Sequence, residues 1–452
     1  METDFLDRAS GYWLAGFALL ENKSKQRDFL PCQTKYICRC LKGIPFNYAV
    51  MKQFDVPVKY RSPIITAIKS RRKLEDKLKK DFSPTLLDLG NIQIYLARHF
   101  GFCYGVENAI EIAFRTVEEN PGKRIFLLSE MIHNPQVNAD LQAHGVQFLQ
   151  DTYGKQLISF DTISWEDIVL IPAFGTTLPM EKMLREKGIQ IEKYNTTCPF
   201  VEKVWNRSEQ IASRGYSIVI HGKPMHEETR ATFSHAAANA PAVIVNDMEE
   251  AELLGKYITG VLPVESFPDA FKGKLSPGFD ITRDLQKFGV VNQTTQLASD
   301  TQAIAEYLKN LVMDFYQLTT ATIGTRFADT RDTLCYATSD NQTAVSGMLE
   351  TAADLAIVVG GYNSSNTTHL VELCEEKLPT YFINQADKII SASEIMHFNF
   401  HTKQELVSAQ FLPTASPVKI LITSGASCPD AVVEEVIKRL AEVTGSSVDG
   451  LG

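Results

Sequence analysis

The sequence predicts an α/β protein built from several small units with mainly parallel sheets. From residue 91 onward, short β-rich apolar runs alternate with longer helical ones, as expected for parallel sheets covered by helices. Runs such as "AIVV" are apolar throughout, which suits strands buried on both faces. The chain has 452 residues, more than one ordinary core accommodates, so roughly two to four domains are expected.

Residues 1 to about 88 read differently from the rest. "GYWLAGFALL" has the length of a signal core, but the preceding "METDFLDR" is acidic, where a signal needs positive charge. No apolar run approaches the roughly 18 residues of a spanning helix. We therefore expect no secretion signal, no membrane span and a cytoplasmic location, where thiols stay reduced. The alternative is a plastid, with this extension as a transit peptide, although acidic residues are frequent in it. Met51 is an alternative functional start. "PCQTKYICRC" resembles a metal motif, but Cys32, Cys38 and Cys40 have no fourth ligand nearby, and an irregular segment or leader is the better reading. "KSRRKLEDKLKKDFSP" predicts a basic helix at about 69–80, ended by a proline.

The strands follow in order: "NIQIYLA", "RIFLLSE", "DIVLIPAFG", "YSIVIHGK", "KFGVVNQTT", "LAIVVGGYNSSN" and "VKILITSGAS". Helices between and after them include "GVENAIEIAFRTVEE" and "PDAVVEEVIKRLAEV". Ligands of open α/β sheets bind beyond the carboxyl ends of the strands. Those ends carry "HGKPMHEET", "NQTT", "GGYNSSN" and "SGAS". Hydroxyls, amides and free N–H groups at helix starts suit an anion such as phosphate. No Walker loop is present. The net charge of −9 argues against general nucleic-acid binding, so an anionic substrate needs local donors.

The eight cysteines form no CxxC pair and no disulfide framework. Three share a setting: Cys103 in "GFCYGVENAI", Cys198 in "TTCPFVEKVW" and Cys335 in "RDTLCYATSDNQTAV". Each sits at a break before a helix, with the third helix expected to start at Ser339 or Asp340. A helix N-terminus favours a thiolate. Three soft donors suggest an iron–sulfur cluster with one open iron, with zinc as the rival. A small buried hydrophobe is the bland alternative at each position. That bland reading is applied to Cys374 within a helical pattern, and a surface loop is expected for Cys428.

These segments, together with "EMIHNPQVN", "NSSNTTHL" and "TSGASCPD", occur in the order that resembles the 4-hydroxy-3-methylbut-2-enyl diphosphate reductase family, in its plant and cyanobacterial branch. The resemblance covers about residues 91–442. It implies three α/β domains around a pseudo-threefold axis, with a central [4Fe–4S] cluster held by Cys103, Cys198 and Cys335. The expected division is an N-terminal extension 1–88, domains 91–198, 199–333 and 334–442, and a tail 443–452. The opening strand, within 91–103, is open to assignment to the third domain.

The implied reaction is reductive dehydroxylation of an allylic alcohol diphosphate, giving isopentenyl and dimethylallyl diphosphates, the last step of the non-mevalonate pathway. Glu228 would supply a proton through a hydroxyl network including Thr294, with His226 beside it. The diphosphate would be held by His133, His226, Ser364, Ser365, Asn366 and Ser427, with Thr295 behind. Taken without the resemblance, Glu228 is a helix-start carboxylate, and Ser365 or Asn366 an N-cap.

One departure stands out. Many bacterial members have a histidine where this chain has Phe174, so another donor is needed, with His221 and Lys223 as candidates. His235, His369, His397 and His401 are given no role. Reduced ferredoxin or flavodoxin is the expected electron donor, with Arg71, Arg72 and Lys73 as a docking patch. The alternatives are a cysteine-dependent phosphoester enzyme, which needs one thiol, and a non-redox phosphometabolite-binding protein.

Overall fold

Strands form where the chain is apolar on both faces. The computed structural model describes residues 54–78, 80–328 and 333–448. In chain order the described strands are β1 (Thr85–Asp88), β2 (Ile92–Leu96), β3 (Ile125–Leu127), β4 (Gln147–Phe148), β5 (Ile168–Leu170), β6 (Ser217–His221) and β7 (Ala242–Val245). They continue as β8 (Phe288–Asn292), β9 (Leu355–Val359), β10 (Thr380–Ile383), β11 (Glu394–Asn399), β12 (Gln404–Ala409) and β13 (Val418–Ser424). Strands β3, β5, β6, β7, β8 and β9 are buried along their whole length.

The strands make three α/β sheets and a hairpin. Two sheets are three-stranded and parallel, with orders β4-β3-β5 and β7-β6-β8. The third has the order β1-β2-β13-β9-β10. In it β2, β13, β9 and β10 run parallel, and β1 is an antiparallel edge. The early strand β2 thus pairs with the late strand β13, Ile94 lying opposite Ile420. Their packing joins Ile92, Ile94, Val358 and Ile422 in one core with Val433 and Leu440 of the last helix, Asp430–Val443. The hairpin β11–β12 is half exposed and turns at Lys403, whose φ is 58°. It escapes a sequence reading because its apolar residues come in short pairs broken by polar ones, on strands that stay largely at the surface.

Two local expectations need correction. The basic helix spans Pro63–Glu75 rather than 69–80. Ser62 caps it, accepting from the Ile65 N–H at 2.9 Å, and Pro63 occupies its first turn, a strong start signal. Ile65 and Ile68 are buried, and Lys69 donates to Asp430 at 2.7 Å and to the Phe100 carbonyl at 2.9 Å. Cys428 is no surface residue: it is 1% exposed within the third core. Cys374 is buried there as expected. Cys32, Cys38 and Cys40 lie outside the described residues.

Candidate active site

The carboxyl ends of all three sheets contribute to one cavity. Cys103 follows β2 and is the N-cap of helix Tyr104–Glu119. Cys198 follows the 3-10 turn Ile191–Tyr194, lies beside the end of β5, and is the N-cap of helix Pro199–Ala212. Cys335 is the N-cap of helix Tyr336–Met348, which therefore starts earlier than Ser339. The reason is local: the Cys335 Sγ itself accepts the Thr338 N–H at 3.3 Å.

Each cysteine is fixed by its own backbone N–H. Cys103 donates to the Ala426 carbonyl beyond β13 at 3.1 Å, Cys198 to Ala173 beyond β5 at 2.9 Å, and Cys335 to Thr294 beyond β8 at 3.2 Å. Glycine makes the approach possible. A Cβ on Gly105 would lie 2.4 Å from the Cys198 Sγ, inside any allowed contact. Gly101 turns with φ near 80°, and a Cβ there would strike Asp430.

All three thiols line the cavity. Burial pushes each above its ordinary range, Cys198 to about 12; repulsion from neighbouring thiols adds to this at Cys103 and Cys198, and repulsion from Glu228 at Cys335. Backbone N–H groups at the helix starts oppose it. Such thiols ionise when a cationic group binds among them. Among the described residues no three His, Cys, Asp or Glu side chains group closely enough to hold a single metal ion. A soft donor from the end of each structural unit fits a [4Fe–4S] cluster, which thiolates hold.

The acid side of the cavity comes from "HEET". His226 caps helix Glu227–Ala237, its Nδ1 accepting the Glu228 N–H at 3.2 Å. Glu228 is buried, and its Oε1 accepts the Thr294 N–H at 2.5 Å. Burial pushes Glu228 up to about 7, although hydrogen bonds from Thr294 pull the other way. Burial likewise holds His226 well below its ordinary value, so it is neutral. The His226 Nε2 lies 3.3 Å from the Nε2 of His133.

The donor strip comes from β9 and β13. Ser364 caps helix Ser365–Glu375 and accepts from Thr367. It takes the capping role, which leaves its neighbours free. The Ser365 Oγ and both side-chain polar atoms of Asn366 are buried without a hydrogen-bond partner. Buried polar groups are otherwise almost always paired, so these atoms mark a place for a polar ligand. The Ser427 hydroxyl donates to the His133 carbonyl at 3.2 Å, and Thr295 accepts from Gln293 at 2.7 Å.

The structure thus brings together on one cavity wall every site residue expected from the sequence. His221 and Lys223, the candidates to compensate for Phe174, do not line it. His221 is buried with its Nδ1 at 3.2 Å from Thr301. Phe174 stacks on His133, ring centroids 4.2 Å apart. Sequence reasoning missed Thr338, whose Oγ1 lies 3.1 Å from the Cys335 Sγ; its place three residues into "CYAT" was the available signal. It also missed Glu227, considered below.

The LytB protein family matches residues 94–441. A 4-hydroxy-3-methylbut-2-enyl diphosphate reductase from a Cyanothece species is 39% identical over 360 residues, 79% of this chain and 86% of the relative. The same-named protein of Gloeobacter violaceus is 37% identical over 393 residues, 84% and 92% of the two chains. The solved E-1-hydroxy-2-methyl-but-2-enyl-4-diphosphate reductase of Plasmodium falciparum has the same fold, with a TM-score of 0.56 at 23% identity over 78% of this chain and 88% of that one. The chain belongs to the LytB family, that of the 4-hydroxy-3-methylbut-2-enyl diphosphate reductases, and is an oxidoreductase.

Proposed function

We propose that the protein reduces (E)-4-hydroxy-3-methylbut-2-enyl diphosphate to isopentenyl and dimethylallyl diphosphates, the last step of the non-mevalonate pathway. One observation carries this reading: a single cavity holds three thiols, a carboxyl group poised near neutrality and unpartnered anion donors. The reaction takes two electrons and two protons and releases water.

Cys103, Cys198 and Cys335 would hold a [4Fe–4S] cluster. When bound, the cluster supplies electrons and an open iron that polarises the C–O bond. Glu228, near 7, is protonated often enough at neutral pH to donate to the leaving hydroxyl. Thr294 fixes the Glu228 carboxyl and supplies a hydroxyl to the same network. His226 offers its Nε2 proton to the diphosphate, because its Nδ1 is occupied. Ser365 and Asn366 bind phosphate oxygens, with Ser364, Ser427, His133 and Thr295 around them.

The division we propose is three domains at 91–198, 199–333 and 334–442, flanked by 1–88 and 443–452 and arranged about a pseudo-threefold axis. The strand within 91–103 goes with the third, since β2 pairs with β13. Reduced ferredoxin or flavodoxin would be the donor. Reactive thiols require a reducing compartment, cytoplasm or plastid; among the described residues no helix is long and apolar enough to cross a membrane.

Anaerobic purification tests the reading. A brown protein with about four irons and four acid-labile sulfides, turning over the allylic alcohol with a reduced donor, supports it. A protein colourless after reconstitution overturns it and leaves the thiol enzyme or the binding protein.

A further inference from the structure

Glu227 is a buried carboxyl group beside the cavity that this reading leaves unused. It is 6% exposed and follows His226 directly at the start of its helix. The Ser129 hydroxyl donates to its Oε1. Its Oε2 is buried without a hydrogen-bond partner and lies 3.9 Å from the His133 Nε2.

The hydrogen bonds fix which ring nitrogens carry protons. Because the His226 Nδ1 accepts the Glu228 N–H, neutral His226 carries its proton on Nε2. It donates that proton to the His133 Nε2 at 3.3 Å. Neutral His133 then carries its own proton on Nδ1, which lies 3.5 Å from Glu130. The Nε2 of His133 thus faces two groups, the His226 donor and the Glu227 carboxyl.

We propose that Glu227 and His133 share one proton, which the arrival of an anion in the cavity moves onto His133. The inference rests on the diphosphate reading of the same site. When His226 turns its Nε2–H to an anion oxygen, His133 loses its donor. The O–H bond of Glu227 then breaks and an N–H bond forms on the His133 Nε2, the two side chains closing the 3.9 Å between them. No electron changes hands. The product is an imidazolium facing the anion and a carboxylate behind it, held by Ser129. This supplies a cation beside the position where Phe174 offers no donor, and Phe174 instead stacks on the ring that becomes charged.

The surroundings favour the exchange. Burial pushes Glu227 up to about 7, so it holds a proton about half the time at neutral pH and most of the time just below it. His133 and Arg230 favour its carboxylate form, and Glu130 opposes it. Glu228 also faces the cluster of charges but is committed to Thr294.

The test is calorimetry of inorganic pyrophosphate binding to anaerobically purified holoprotein, in two buffers of different ionisation enthalpy near pH 6, below the Glu227 value of about 7. The wild type should take up few protons, because the proton moves internally. Glu227→Gln should take up about one proton more, because His133 must draw it from solvent. The pH above which affinity falls off should move down by about 1–3 units once the neighbouring anion is lost. Ser129→Ala, a milder change, should move it up, because an unsupported carboxylate is more basic. In a His133→Gln background, Glu227→Gln should change nothing further.

An unchanged proton count and midpoint in Glu227→Gln overturns the proposal, as does an effect that persists without His133. A wild type that does not bind pyrophosphate overturns both this and the diphosphate reading. Normal pyrophosphate behaviour without turnover of the allylic alcohol sinks the reductase reading and supports the shared proton.

Discussion

Cys374 and Cys103 are both free thiols, yet they lie in regions built on opposite rules. Cys374 is in the core of the five-stranded sheet, among Ile357, Leu370 and Val371. It sits inside its helix, Ser365–Glu375, where the backbone N–H groups are already used. Cys103 lies at the cavity, at the first free N–H groups of its helix, beside two other thiols. In the core, packing is the function. At the cavity wall, the Ser365 hydroxyl and the polar atoms of Asn366 stay without protein partners beside the three thiols. The energetic cost of leaving them so is recovered only when something binds.

The largest expected effect is the loss of this contrast. Serine at Cys103, Cys198 or Cys335 should each remove colour and turnover, by more than the roughly 10–100-fold cost of an outer-shell change at a metal site. Cys374→Ala should keep both and cost about 1 kcal/mol in denaturant unfolding. Equal loss of colour in all four variants breaks the comparison.

Glu228→Gln comes next. Removing the proton donor should lower kcat by about 10²–10⁴-fold while pyrophosphate still binds. A variant that changes only KM would make Glu228 a binding group instead.

Asn366→Ala should weaken pyrophosphate binding by about 10–100-fold, the effect of losing hydrogen bonds to a charged ligand, and leave the melting temperature nearly unchanged. The reason is that Asn366 has no partner to lose in the free protein. A large fall in melting temperature would show that it supports the fold.

His221 gives a pH-dependent contrast away from the cavity. Burial lowers it from 6.5 to about 4. A folded value below the unfolded one means its contribution is intact above pH 6.5. That contribution is lost as pH falls toward 4, by up to about 3 kcal/mol. Unfolding midpoints of wild type and His221→Gln across that window should diverge least at the acid end.

The smallest effect concerns the helix Pro63–Glu75. Arg71 and Lys73 are exposed, but Arg72 donates to the Ser83 carbonyl at 2.9 Å and pairs with Asp81 at 3.1 Å. Neutralising Arg71 and Lys73 should raise the apparent KM for an acidic electron donor several-fold at low salt. No change there removes this helix from docking.

Much of this was legible in the sequence because it is local. Strands β3, β5, β6, β8, β9 and β13 show as apolar runs because a strand buried on both faces cannot alternate. The Cys103 and Cys198 caps show because each precedes a helical pattern, whereas the cap after β9 is Ser364 and not Ser365 or Asn366, since a run of serines and asparagines offers several capping side chains. The hairpin β11–β12 did not show, since half-exposed strands carry little apolar signal. The helix at Cys335 was placed late because a cysteine is a rare cap, and its Sγ bond to the Thr338 N–H has no marker in composition.

By itself, then, the sequence determined where β2, β3, β5, β6, β8, β9 and β13 lie, and which cysteines, acids and hydroxyls stand at the turns that follow. These depend on neighbours within one turn of chain. Only the tertiary structure decided that β13 inserts between β2 and β9, which brings Ala426 to Cys103. It also set Phe174 on His133 and brought the Glu227 Oε2 within 3.9 Å of that ring. These contacts join residues nearly a hundred positions or more apart, or from different loops. No local pattern encodes them, because they follow from how three separately buried sheets direct their carboxyl ends into one cavity.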